Sequence, residues 1–214
     1  MQLTLRLAIL LGMGSLACLA QMWEVGGAGG GSGALGLNAT GAAGTATAGF
    51  QPGVAASFVV GQNLYTRLTG ELRYTYLQDD LKLSSGGTEA TFGAAAHAIH
   101  YDLLWHFGKG EGRVQPFVAA GGGMKLFEGT GAQQAYQPLS QFAYFTHAQQ
   151  LEPMISAGGG IRMALKTNVV LRIEFRDYLT PFPGHVIAAA PGMHISGWVH
   201  DFVPLVGISY LFGK

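Results

Sequence analysis

The residues best suited to chemistry are charged pairs at two-residue spacing. Charged side chains are only 11% of this 214-residue chain, where an ordinary soluble domain carries about 25%. Yet Glu71 and Arg73 stand two apart, and Arg172, Glu174 and Arg176 repeat the spacing. In an extended chain, residues two apart share a face. A helix would spread Arg172 and Glu174 around its circumference instead. His194 and Ser196 form a second candidate at the same spacing. A base beside a hydroxyl can activate it if a third group orients the base. The nearest carboxylate in sequence is Asp201, which alternation turns inward, so a loop histidine beside a loop serine is expected. The other histidines suggest no metal. His97 and His100 face opposite ways on a strand. His100 and His106 share a face but lie about 20 Å apart. His147 and His185 join His194 in or near loops, and nothing matches zinc-ligand spacing. No cofactor is expected. Gly26–Gly33, Gly121–Gly123 and Gly158–Gly160 do not open a helix after a strand, as a phosphate loop must. They read as small residues that let a curved sheet bend and large side chains fit opposite.

The elements that must position these charges are strands. Asn168 to Tyr178 sets Val169, Leu171, Ile173 and Phe175 against Val170, Arg172, Glu174, Arg176 and Tyr178. Similar alternation covers 23–33, 53–61, 66–78, 89–107, 113–127, 151–165 and 198–212. Asp102 falls on the fourth of these, with His100 and His106 on its polar face. Eight strands of about ten residues, rising ~3.3 Å each and tilted ~40°, span about 25 Å, the height of an outer-membrane apolar band. The connections alternate long and short without exception. Long ones run over 34–52, 79–88, 128–150 and 179–197. Short ones are 62–65, the glycine turn 108–112 and 166–167. An up-and-down barrel puts every long loop at one end. A soluble lipocalin-like barrel, the alternative, would turn its apolar faces inward and has no need of that parity. Trp105, Phe107, Tyr210 and Phe212 fall at the short-turn ends, and Tyr76, Tyr178 and Trp198 near the others, as interfacial aromatics do.

Composition excludes other classes. Hydrophobic residues make up 49% of the chain, but no run of 18 apolar residues exists, which argues against a helical membrane protein. Twelve basic and twelve acidic residues balance, so no nucleic-acid partner is expected. The abundant glycine has no three-residue period, which excludes collagen. Residues 1–20 read as a signal peptide, with Arg6 before an apolar Leu7–Leu16 and Cys18-Leu19-Ala20 at the cleavage site. The mature domain is then 21–214, without a thiol, since the only cysteine leaves with the leader. In the alternative, Cys18 is the lipidated N-terminus that follows Ser15-Leu16-Ala17.

Arg113-Val114-Gln115-Pro116-Phe117-Val118-Ala119-Ala120-Gly121-Gly122-Gly123 resembles the fifth-strand pattern of small outer-membrane barrels of the OmpA/OmpX type. Arg172-Ile173-Glu174-Phe175-Arg176-Asp177-Tyr178 resembles their seventh. The resemblance implies an all-β, eight-stranded antiparallel barrel in the outer membrane of a Gram-negative bacterium. It implies contact with outer-membrane lipid and lipopolysaccharide, and assembly-machinery recognition of a terminal aromatic, here Phe212. The peptidoglycan-binding domain of larger members is not expected. Some similar barrels remove or transfer acyl chains on lipid A with a histidine, a serine and a carboxylate. That makes His194 and Ser196 the candidates of an alternative, enzymatic reading. The main expectation is a monomer with a structural or surface-interaction role. Glu128–Gln150, with Gln133, Gln134, Tyr136, Gln141, Phe142, Tyr144, Phe145 and His147, is the possible ligand surface.

In such a barrel the third and seventh strands face each other across the lumen. Counting from the short-turn ends sets Glu71 level with Arg172, and Arg73 level with Glu174. Asp102 arrives at similar depth. An interior this narrow is filled by side chains, so a closed polar plug is expected. An ion path lined by the same charges is the alternative.

Overall fold

The computed structural model describes residues 22–108, 112–131 and 136–213. The expected signal peptide, Cys18 included, lies outside the described residues, as do 109–111 of the glycine turn and 132–135 of the longest loop. In chain order the strands begin with β1 (Trp23–Ala34), β2 (Leu37–Gly41), β3 (Gly44–Phe50), β4 (Gly53–Tyr65) and β5 (Leu68–Leu77). Then come β6 (Leu81–Ser85), β7 (Thr88–Phe92), β8 (Ala94–His106), β9 (Val114–Gly129) and β10 (Ala143–Phe145). The last are β11 (Gln149–Lys166), β12 (Val169–Pro181), β13 (Ile187–Ala189), β14 (Met193–Ile195) and β15 (Trp198–Phe212).

The eight long strands close an antiparallel barrel in the order β1-β4-β5-β8-β9-β11-β12-β15, each bonded to its chain neighbour within the barrel. Closure brings Trp23 opposite Phe212, so β1 starts where β15 ends. Full closure leaves no unpaired backbone edge, the condition for an apolar surround. Alternation then sorts the side chains. Phe58, Ile99, Val118, Ile155, Phe175 and Ile208 are each about half exposed on the outer surface. Arg73, Asp102 and Arg176 on the inner surface are fully buried. The lipocalin-like alternative required the reverse. Trp105, Phe107, Tyr210 and Phe212 ring the short-turn end of the outer surface, and Trp198 stands at the other. Tyr178 does not join that ring. Its parity is that of Arg176, and it lies wholly inside.

The long connections differ from the loops expected of them. A five-stranded sheet, β14-β2-β3-β6-β7, and a two-stranded one, β10-β13, sit over the barrel end. The expected fourth strand, 89–107, is in fact two. It breaks at Gly93, where Thr88–Phe92 pairs with β6 in the upper sheet and Ala94–His106 pairs with β5 in the barrel. Hydrophobic alternation runs through Gly93 unbroken, so periodicity could not show the change of sheet. The turn expected at 62–65 also shifts, because β4 continues to Tyr65. At the tip of the β6–β7 hairpin, Gly86 and Gly87 have φ of 57° and 82°. A two-residue hairpin turn needs positive φ at both positions, which glycine supplies without strain.

The apolar core lies inside this capped end. Ala39, Leu81, Leu83 and Phe92 of the upper sheet cluster with Leu77, Phe127, Val199 and Val203 of the barrel's inner wall. The charges lie below them, toward the short turns.

Candidate functional site

Strands β5, β8 and β12 carry the charges expected from the sequence into the lumen, and small residues on β9 and β11 make room for them. The inner positions of those two strands include Ala119, Gly121, Gly123, Ser156, Gly158 and Gly160. A Cβ on Gly121 would come within 2.3 Å of an Asp102 carboxylate oxygen, and one on Gly158 within 2.8 Å of Arg176 Cδ. The expectation that these glycines accommodate large side chains opposite therefore describes the packing. Phe117, also on the inner face, lies 5.9 Å from the guanidinium carbons of both Arg172 and Arg176.

Glu71 and Arg172 meet across the lumen at 2.5 Å, and Arg73 reaches Glu174 at 2.7 Å. Neighbours on the same strand also pair: Arg73 with Glu71 at 2.7 Å, Arg172 with Glu174 at 2.6 Å, and Arg176 with Glu174 at 2.9 Å. Arg176 donates to Asp102 at 2.6 Å, and the other Asp102 oxygen meets His100 Nδ1 at 2.9 Å. Tyr178 closes this side through contacts with His100 Nε2 and Thr75 Oγ1.

Three parts of the network were missed in the sequence. Glu24 of β1 takes Arg172 at 3.0 Å and also pairs with Arg162 of β11. That brings the lower network to four arginines, 73, 162, 172 and 176, against Glu24, Glu71, Asp102 and Glu174. Higher up, the buried Lys125 of β9 joins Asp79 at 2.9 Å and Asp201 at 2.5 Å, and Ser32 donates to Asp79 at 3.0 Å. Alternation from Phe117 places Lys125 on the inner face, and alternation from Arg73 does so for Asp79, which instead was assigned to a loop. Glu24 lies near the start of a strand half of whose residues are glycine, where parity has few side chains to register it.

The other candidates stay apart. His194 on β14 lies opposite Thr40 of β2, exposed like Ser196. Neither side chain hydrogen-bonds to a carboxylate among the described residues, and Asp201 is committed to Lys125. His97 and His200 lie on the outer surface instead. His97 Nδ1 is 2.7 Å from the Tyr74 hydroxyl, and His200 Nδ1 is 2.9 Å from Asp177. No group of three metal-ligating side chains occurs among the described residues.

The aromatics expected on the surface of 128–150 divide. Tyr136 and Tyr144 are exposed, but Phe142 and Phe145 pack inward, Phe145 stacked on Phe92 at 5.9 Å. Gln137 holds Phe145 as a strand neighbour would. Its side-chain amide donates to the Phe145 carbonyl and accepts from the Phe145 N–H, both at 2.8 Å. Gln133 and Gln134 lie outside the described residues.

No family model and no curated protein matches the chain. Solved structures do. The outer membrane protein OprG from Pseudomonas aeruginosa aligns with a TM-score of 0.62 at 10% identity, over 91% of this chain and 96% of that one. Neisserial surface protein A aligns with a TM-score of 0.51 at 13% identity, over 88% and 96%. At such identities the likeness is one of fold. This chain has the fold of the small eight-stranded outer-membrane β-barrels.

Proposed function

We propose that the protein is a closed, non-conducting barrel of the outer membrane of a Gram-negative bacterium, presenting an ordered cap at the cell surface for interaction with a partner. The observation that carries this reading is the cap. Mobile loops would cost ordering entropy on every encounter, whereas the long connections here form a five-stranded sheet on an apolar core shared with the barrel. Tyr136 and Tyr144 are the exposed anchors on this end. The outer belt of half-exposed aliphatic and aromatic residues suits lipid, and an apolar surface of that extent is uncommon on a soluble monomer. The signal-peptide pattern read in the sequence of residues 1–20 suits export, and Phe212 suits recognition by the assembly machinery. The four arginines and four carboxylates of the lower network match in number and bond to one another, which supports a plug over an ion path.

Separation of membranes on a density gradient tests the location, and gel mobility before and after heating tests the barrel. Recovery with the outer membrane and faster migration before heating are expected. A soluble or inner-membrane product would overturn the reading. Lipid A mass spectra from the same cells test the enzymatic alternative at His194 and Ser196. No change in acyl mass is expected, and a loss or gain of one acyl chain that His194→Ala abolishes would reverse the assignment.

A further inference from the structure

The charges outside the lumen divide by end and by sign. Among the described residues, the unburied charged side chains at the short-turn end are Arg67, Arg113 and Lys166, all exposed and all basic. They occupy the three short turns: Arg67 between β4 and β5, Arg113 just before β9, and Lys166 at the end of β11. Residues 109–111 add Lys109 and Glu111 by sequence, one of each sign. Toward the cap the sign reverses. Asp80, Glu89, Glu128, Glu152 and Asp177 are the unburied acids there among the described residues, and the unburied base, Lys82, is paired with Glu89 at 2.7 Å.

The three basic residues border the apolar outer belt. Barrel order makes their turns neighbours along one arc of the rim, β4-β5-β8-β9-β11-β12. Two are anchored through the ladder: His106 N–H donates to the Arg67 carbonyl at 2.9 Å, and Ala164 N–H to the Arg113 carbonyl at 2.8 Å. An exposed apolar residue lies within two positions of each, Tyr65 by Arg67, Val114 by Arg113 and Leu165 by Lys166. Trp105, half exposed on the outer surface, stands opposite Leu68, the residue after Arg67. Aromatic rings favour the level where acyl chains meet headgroups, and long cationic side chains reach past that level to the headgroups themselves. None of the three side chains is in an ion pair or hydrogen bond among the described residues.

We infer that the short-turn rim is a docking surface for anionic phospholipid headgroups, of the phosphatidylglycerol kind, in the leaflet at that end. The inference rests on the membrane reading above and adds which lipid this rim selects. A phosphodiester offers acceptor oxygens and one negative charge to arginine and lysine. A zwitterionic headgroup carries the same phosphate but also an ammonium, which a rim of net positive charge repels. The acids toward the cap deny the other rim this preference, so the selection is confined to one leaflet. Position beside the belt favours a lipid over a soluble anion, because the headgroup's own acyl chains then lie on Val114 and Leu165. Near an anionic surface, each basic side chain is worth about a fivefold preference.

The test uses the whole mature protein in phosphatidylcholine vesicles and reads tryptophan quenching at each end. Trp23→Phe with Trp198→Phe leaves Trp105 as the reporter at the basic rim. Trp23→Phe with Trp105→Phe leaves Trp198, half exposed at the other end. Quenching by phosphatidylglycerol brominated on its acyl chains is compared with quenching by brominated phosphatidylcholine at the same fraction. Trp105 should report a preference for phosphatidylglycerol of about fivefold, and Trp198 none. Arg67→Gln should weaken the preference at Trp105, and adding Arg113→Gln and Lys166→Gln should remove it. Heat-modifiable mobility checks that each variant folds. If the triple variant does not, salt decides: at about 1 M, where charges are screened within about 3 Å, the preference at Trp105 should vanish in the protein with its basic rim intact. Equal quenching by the two lipids at Trp105, the same preference at both ends, or a preference that salt leaves unchanged would overturn the inference while leaving the membrane barrel standing. No quenching by either lipid at either tryptophan would overturn both.

Discussion

Replacing Glu71 by leucine removes the carboxylate that holds the lumen network together. Glu71 takes Arg73 at 2.7 Å, Arg172 at 2.5 Å and Arg176 at 3.4 Å. Four arginines would then face three carboxylates in a space where Glu71 itself is 1% exposed. Breaking a buried pair by deleting one partner costs about 3–5 kcal/mol, because the surviving charge stays desolvated. A surface pair would cost no more than about 1 kcal/mol. The assay is urea unfolding of the mature barrel in lipid vesicles, with stability extrapolated linearly. A second variant sharpens it. Arg172→Leu with Glu71→Leu restores the balance, so the double loss should fall short of the sum by about 0.5–3 kcal/mol. A loss below about 1 kcal/mol for Glu71→Leu, with the two substitutions additive, would refute the idea of a dry, paired lumen.

Three further outcomes follow from the same architecture. Ile173→Arg, at the middle of the outer belt, should cost on the order of 2–4 kcal/mol, and Val169→Arg at the short-turn end about 0–1; equal costs in the folding titration contradict a lipid-facing belt. A thiol at Thr88→Cys in the cap should react with a membrane-impermeant maleimide on intact cells, and one at Thr167→Cys only after the outer membrane is permeabilised. The reverse order inverts the topology. Leu83→Ala should destabilise the cap by about 2–5 kcal/mol, speeding hydrogen exchange in Leu37–Gly41 and Leu81–Phe92 while Val169–Pro181 keeps its protection. Equal acceleration in both would show that cap and barrel open as one unit.

The barrel was legible because a sheet with an apolar outer face and charge inside writes its parity directly into the chain. Arg172, Glu174 and Arg176 alternate with Leu171, Ile173 and Phe175, and one misplaced residue would have reversed every face. The same parity, counted from the turns, was enough to align Glu71 with Arg172 and Arg73 with Glu174. The cap was less legible. Its strands are short, and Ala39, Ala46 and Ala48 fill core positions without any strong hydrophobic signal. Its sheet order places β14 beside β2 across most of the chain, a pairing that no local pattern encodes. Phe142 and Phe145 read as exposed because they lie in a polar stretch; what buries them is Phe92 and the β13 strand, distant in sequence. Lys125 was passed over because Asp79 was assigned to a loop and Asp201 was weighed only as a partner for His194 and Ser196.

Single-channel recording of the purified barrel in a planar bilayer tests the central claim most directly. Carriage of an ion through the lumen requires Arg73, Arg172 and Arg176 to release Glu71, Glu174 and Asp102 together, and the apolar cap to part above them. The closed barrel should give no unitary steps above the bare bilayer at neutral pH. Glu71→Leu should raise only brief, irregular events. A steady, reproducible unitary conductance from the wild-type protein would contradict the plug and make the same charges the lining of a pore.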